Sequence, residues 1–269
     1  MGCRRGFEPR DFSISTLAPC RYHPAVSMDR TLASNEAEVT VPETPGAPRV
    51  PGRIYRWCRA FWRFAFFFTM RVKSRGSRCL PARGGVILAV THRSHLDPVV
   101  VSTLLDREVG WMARVEFYHH GVLRALMNAV GAFPVNRMRP GVAPIREAIR
   151  RLRGGLVVGI FPEGEIQTGN DRVSHGGAIK AGAVYLAALT GCPILPVVVV
   201  GSEKLSSPWP WMPAKWGRLW VRFGEPLHIG PEARQRAGRL AASERLREDF
   251  RDLYALCAAD WDLPEGREK

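Results

Sequence analysis

Val86-Ile87-Leu88-Ala89-Val90-Thr91-His92-Arg93-Ser94-His95-Leu96-Asp97 opens on five apolar residues and closes on a polar turn that carries two imidazoles and a carboxylate. Gly84-Gly85 precede the apolar run, which reads as a short buried strand. A helical stretch follows from about Pro98 to Leu105. A polar turn between a buried strand and a helix is where α/β folds carry reactive side chains.

Reading outward, the alternation continues. Trp111 to Val115, Ala132 to Val135, Leu156 to Phe161, Ile194 to Val200 and Leu219 to Phe223 read as further strands. Phe117 to Val130, Val142 to Leu152, Ala178 to Leu189 and a charged stretch from Pro231 to about Asp260 read as helices. Strands alternating with helices predict an α/β fold with a mainly parallel sheet flanked by helices, over residues 84–269.

Residues 53–83 open differently. Over 53–72, Arg53, Arg56, Arg63 and Arg71 fall on one side of a helix at 100° per residue, with Arg59 close by. Ile54, Trp57, Cys58, Phe61, Phe64, Ala65 and Phe68 cover the other side. This predicts an N-terminal amphipathic segment that lies in a membrane interface, its arginines near anionic headgroups. The competing reading is a helix packed on the core with a solvated arginine face. Residues 1–52 read as a disordered tail, punctuated by Pro42, Pro45, Pro48 and Pro51. Met28 is a second candidate start.

Composition narrows the classes. In 269 residues, Lys+Arg number 39 and Asp+Glu 25, a formal charge of +14 that favours anionic partners. No helix-turn-helix, zinc-finger or RNA-binding signature accompanies that charge, so no nucleic acid is expected. The six cysteines lack C-x-x-C spacing and read as free thiols of a reducing compartment. No apolar run is long enough to span a bilayer, and no continuous apolar h-region precedes Met28, so no secretory leader is expected. Met1-Gly2-Cys3 fails as a myristoylation start, because the sixth residue is Gly6. No His-Glu-x-x-His pattern occurs, so no metal is expected.

Four groups of residues carry the candidate chemistry. His92 and Asp97 form a His-x4-Asp (HX4D) pair. If the chain turns into a helix at 94–97, the carboxylate folds back to Nδ1 and leaves Nε2 as a base. The alternative is a capped helix with a surface histidine. His95 reads as structural. Arg137 follows the short strand ending at Val135 and suits bidentate phosphate binding, the alternative being a surface arginine. Phe161-Pro162-Glu163-Gly164 ends another strand in a tight turn, with a carboxylate at the rim and a glycine that allows close approach. Lys180, in Ile179-Lys180-Ala181-Gly182, adds a cation where a helix opens. Ile194-Leu195-Pro196-Val197 is a strand with an internal proline, which marks an edge, an end or a bulge. Trp209-Pro210-Trp211-Met212-Pro213 with Trp216 reads either as an interfacial anchor or the lining of an apolar tunnel, or as a packed loop.

In this order the pieces resemble the glycerolipid acyltransferase family, which includes bacterial and eukaryotic lysophosphatidic acid acyltransferases. Thr91 to Asp97 is similar to its Asn-His-x-Ser-x-x-Asp block, and Gly131 to Arg137 to its Gly-x-x-Phe-Ile-x-Arg block. Phe161 to Gly164 resembles the start of Phe-Pro-Glu-Gly-Thr-Arg-Ser. Ile194 to Val197 matches the apolar-Pro-Val strand, and Lys180 with Gly182 the family's Lys-x-Gly. The likeness spans about residues 54–228.

The resemblance implies a membrane-surface O-acyltransferase of phospholipid biosynthesis. His92 would be the general base and Asp97 its orienting partner. Arg137 and Lys180 would bind the acceptor phosphate, and Glu163 and Gly164 would line the acceptor site. The donor would be acyl-CoA or acyl-acyl carrier protein, the acceptor a lysophospholipid such as 1-acylglycerol-3-phosphate, and no cofactor would take part. The protein would sit peripherally or monotopically on the cytoplasmic face of a membrane with anionic lipids. Two departures stand out: Thr91 replaces the usual Asn, and Glu165-Ile166-Gln167 replaces Thr-Arg-Ser, which removes a cation. Other readings are a different lyso-lipid acceptor, a non-catalytic lipid-binding member of the fold, and a hydrolase. The last lacks a Gly-x-Ser-x-Gly nucleophile elbow.

Overall fold

A computed structural model describes residues 52–136, 141–166, 172–173, 177–205 and 217–261. Seven strands form one sheet: β1 (Met70–Arg75), β2 (Val86–Val90), β3 (Val109–Arg114), β4 (Phe133–Val135), β5 (Val157–Ile160), β6 (Ile194–Val200) and β7 (Gly217–Phe223). Their spatial order is β1-β7-β6-β2-β5-β3-β4. Every neighbouring pair is parallel except β6 with β7. The helices are α1 (Gly52–Thr69), α2 (Asp97–Leu104), α3 (Gly121–Ala129), α4 (Val142–Arg153), α5 (Gly182–Thr190) and α6 (Arg236–Trp261). The expected mainly parallel α/β sheet is present.

The central strands are apolar throughout because both faces of the sheet are covered. Val86, Leu88 and Val90 point into a cluster with Val100 and Val101 of α2 and Phe66 of α1. Ile87 and Ala89 point the other way, into a cluster with Leu152 of α4, Val184 of α5 and Phe250 of α6. The period of two along one strand thus feeds two cores.

Two expectations differ from the structure. The helix predicted over 53–72 ends at Thr69, and Met70–Arg75 is a strand paired in parallel with β7. Met70, Val72 and Ser74 alternate with Arg71, Lys73 and Arg75, a period of two that suits a strand. The boundary drawn between 83 and 84 therefore does not separate the N-terminal segment from the sheet. The helix predicted over 117–130 is split: Val115–Tyr118 is a 3-10 turn, His120 is extended, and α3 starts at Gly121. The expected tail lies outside the described residues, apart from Gly52, which begins α1.

Helix α1 packs through a narrow stripe. Tyr55 and Phe66 are buried, and Trp62 packs partly buried against Phe66, ring centroids 5.5 Å apart. The Tyr55 hydroxyl accepts the Val109 N–H at 3.2 Å, and Arg59 donates to the Leu105 carbonyl at 2.8 Å. The predicted apolar face points outward, with Trp57 78% and Phe61 63% exposed and Ile54, Phe64 and Phe68 exposed beside them. Packing on the core does not use these rings, so the core-packed reading does not account for them. Among the described residues, no helix is long and apolar enough to cross a membrane.

Candidate active site

Strands β2 and β5 are parallel neighbours, with Ala89 opposite Ile160. Their carboxyl ends therefore deliver His92 and Glu163 to the same rim of the sheet. Thr91 fixes the exit from β2: its N–H donates to the Val197 carbonyl at 3.1 Å and its Oγ1 accepts the Val199 N–H at 2.9 Å. The residue that replaces the family's Asn thus has its side chain engaged by the backbone of β6.

The chain then turns. Asp97 N–H donates to the Ser94 carbonyl at 3.1 Å, and Asp97 enters the first turn of α2, followed by Pro98. A carboxylate in the first helical turn faces the positive end of the helix dipole, and a proline there sacrifices no hydrogen bond. The Asp97 side chain is wholly buried. Its Oδ2 accepts the N–H groups of Arg93 at 2.6 Å and Ser94 at 2.7 Å, and lies 3.3 Å from His92 Nδ1. A carboxylate oxygen accepts, so the tautomer that completes this contact carries its proton on Nδ1 and leaves Nε2 with its lone pair. The His92 ring stacks on Phe161, centroids 4.0 Å apart, and Phe161 stacks on Trp111 at 5.1 Å. The Trp111 indole N–H donates to the Ser102 hydroxyl of α2 at 3.0 Å. The imidazole is thus fixed by a hydrogen bond at its edge and by an aromatic ring on its face.

Glu163 is buried, and both of its oxygens hold backbone. Oε2 accepts the His92 N–H at 2.6 Å, and Oε1 accepts the Val173 N–H at 2.9 Å. Burial pushes its carboxyl up from the ordinary glutamate range, opposed by those two N–H groups and by Arg93. Gly164 has φ 83°, the left-handed region that favours glycine, and its N–H closes the turn onto the Phe161 carbonyl at 3.0 Å. The Lys180 side chain lies against Gly164, where a Cβ would collide with it, and the Lys180 N–H donates to the Pro162 carbonyl at 2.7 Å.

The structure therefore brings together His92, Asp97, Glu163, Gly164 and Lys180. Arg137 lies outside the described residues, and so do Trp209, Trp211 and Trp216 of the aromatic stretch. His95 is exposed and lies outside the dyad. Among the described residues, no group of three or more His, Cys, Asp or Glu is placed to hold a metal.

Sequence reasoning alone misses Arg93, Phe161 and Glu203 as site residues. Arg93 is 3% exposed, and its guanidinium reaches Glu203 Oε1 at 2.5 Å. Buried Arg172 lies 4.0 Å from the same oxygen. Burial and the neighbouring Arg93 push the Arg172 guanidinium down from its ordinary value. A charged residue directly after the candidate base is the available signal.

Parallel strands thus carry a buried His–Asp dyad on one rim of an α/β domain, an arrangement able to take a proton from a hydroxyl. The family whose model matches is described as Acyltransferase, over residues 71–200. The chain is 29% identical to the 1-acyl-sn-glycerol-3-phosphate acyltransferase of Bacillus subtilis over 203 residues, 74% of this chain and 96% of that one. It is 30% identical to the human 1-acyl-sn-glycerol-3-phosphate acyltransferase beta over 138 residues, 50% of this chain and 48% of that one. The crystal structure of the 1-acyl-sn-glycerophosphate (LPA) acyltransferase PlsC from Thermotoga maritima shares the fold, with TM-score 0.56 and 21% identity over 76% of this chain and 79% of that one. In these comparisons the chain is similar to glycerolipid acyltransferases, and the matching model covers residues 71–200.

Proposed function

We propose that the protein transfers a fatty acyl group from a thioester donor, carried by CoA or acyl carrier protein, to the free hydroxyl of 1-acylglycerol-3-phosphate. The observation that carries this reading is the 3.3 Å contact between His92 Nδ1 and a fully buried Asp97. Nε2 takes the proton of the acceptor hydroxyl as its oxygen attacks the thioester carbonyl. The tetrahedral adduct then collapses, the C–S bond breaks, and the proton on Nε2 leaves with the thiolate. No covalent enzyme intermediate and no cofactor take part. Lys180, beside Gly164, supplies a cation for the acceptor phosphate, and Arg137 a second one.

The reaction takes place at the cytoplasmic surface of an anionic membrane. The exposed aromatic rings of α1 and its arginines support that placement. The test is transfer of a labelled acyl group from each donor to a panel of lysolipids, with His92→Ala as control. Transfer to 1-acylglycerol-3-phosphate that is lost in the variant is the expected result. Transfer only to another acceptor would keep the mechanism and point to exposed Glu165 as the selectivity residue. No transfer to any acceptor would overturn the reading.

A further inference from the structure

Arg93 is held at both ends. Its backbone N–H donates to Asp97 Oδ2 at 2.6 Å, while its guanidinium leaves the dyad and reaches Glu203 at 2.5 Å. Glu203 lies in the 3-10 turn Ser202–Leu205 that follows β6. The same guanidinium lies over the Tyr254 ring of α6, 5.7 Å from its centroid. His92 and Arg93 thus point to opposite helical layers: the imidazole stacks on Phe161, and the guanidinium reaches α6.

We propose that Glu203 is a positioning residue, which clamps Arg93 against α6 and so holds the backbone turn that presents Asp97 to His92. The role in turnover rests on the acyl-transfer reading. Glu203 is the carboxylate that the Arg93 guanidinium reaches directly, so its removal weakens the hold on a buried charge. The guanidinium's anchor restrains the Arg93 backbone, whose N–H is one of the hydrogen bonds on Asp97 Oδ2. Small misplacements of a catalytic group are costly, so Glu203 acts on the dyad without touching substrate.

The test compares Glu203→Gln, Arg93→Gln and the double variant in the full chain. The expected result is a fall in kcat per folded enzyme of about 10–100-fold in each single variant, with KM for both substrates within about twofold. The double variant falls no further than either single one, since both remove the same clamp. Amide hydrogen exchange gives a readout independent of turnover. The Arg93 and Ser94 amides lose about tenfold or more of their protection in Glu203→Gln, while the Val221 amide of β7 keeps its own.

Additive effects on kcat, or protection lost evenly across the chain, would overturn the clamp. So would wild-type protection at Arg93 and Ser94. Should the wild-type protein transfer no acyl group, the acyl-transfer reading fails separately, and amide exchange still decides whether the clamp exists.

Discussion

Glu163 holds the main chain of His92: Oε2 accepts the His92 N–H at 2.6 Å while Oε1 accepts the Val173 N–H at 2.9 Å. The carboxylate expected to meet the acceptor spends both oxygens on the protein's own backbone. It joins the turn after β5 to the turn after β2, so that the two candidate blocks form one unit.

Glu163→Gln should therefore act first on stability. An amide has one oxygen and one NH₂, so one of the two buried N–H groups would face a donor. The expected cost is ~1–3 kcal/mol, read by denaturant unfolding. Burial raises the folded-state value of Glu163, so its contribution is present below the ordinary glutamate range and lost as pH rises through the raised value. The margin of wild type over the variant should grow on acidification through that window. A margin that shrinks there would count against this assignment.

His92→Ala should lower turnover by about 10²–10⁴-fold or more, the usual weight of a general base. Asp97→Asn should also be severe, because the amide no longer fixes the proton on Nδ1. Steady-state kinetics with folded variants decides both, and near-normal turnover in either would sink the mechanism.

Gly159→Ala tests the aromatic stack. A Cβ at position 159 would run into the Trp111 ring, which stacks on Phe161 beneath His92. Overpacking of this kind costs ~1–3 kcal/mol, and it should reduce turnover along with the melting temperature. Unchanged activity and stability would show that the stack tolerates displacement.

The outer face of α1 should bind anionic vesicles in a salt-sensitive way. Replacing Phe61 or Phe64 by Ala should weaken that binding by about tenfold or more, since burying a Phe ring is worth ~1.5–3 kcal/mol. Both rings are exposed, so the fold should not suffer. Sedimentation with vesicles, alongside circular dichroism, checks the two halves of this expectation.

Much of the fold is legible because its central strands are unbroken apolar runs. Val86–Val90 and Ile194–Val200 can be read to the residue. Strand β1 cannot, because its alternating Arg71, Lys73 and Arg75 directly follow an aromatic helix and blend into its pattern. Within the site, the His92–Asp97 spacing is readable because the two residues share one turn. The Glu203 contact joins residues 110 positions apart, and such a pairing exists only once β6 lies beside β2.

The pairing of β1 with β7 also sets an order in time. Met70 waits for Gly217, and at ~5–20 residues per second of synthesis that wait lasts roughly 7–30 s. Throughout it the outermost strand has no neighbour, while the aromatic helix ahead of it has already been made. The sheet is therefore finished at its edge, and the ion pair of Arg75 with Asp260 can form only later still, once α6 has followed.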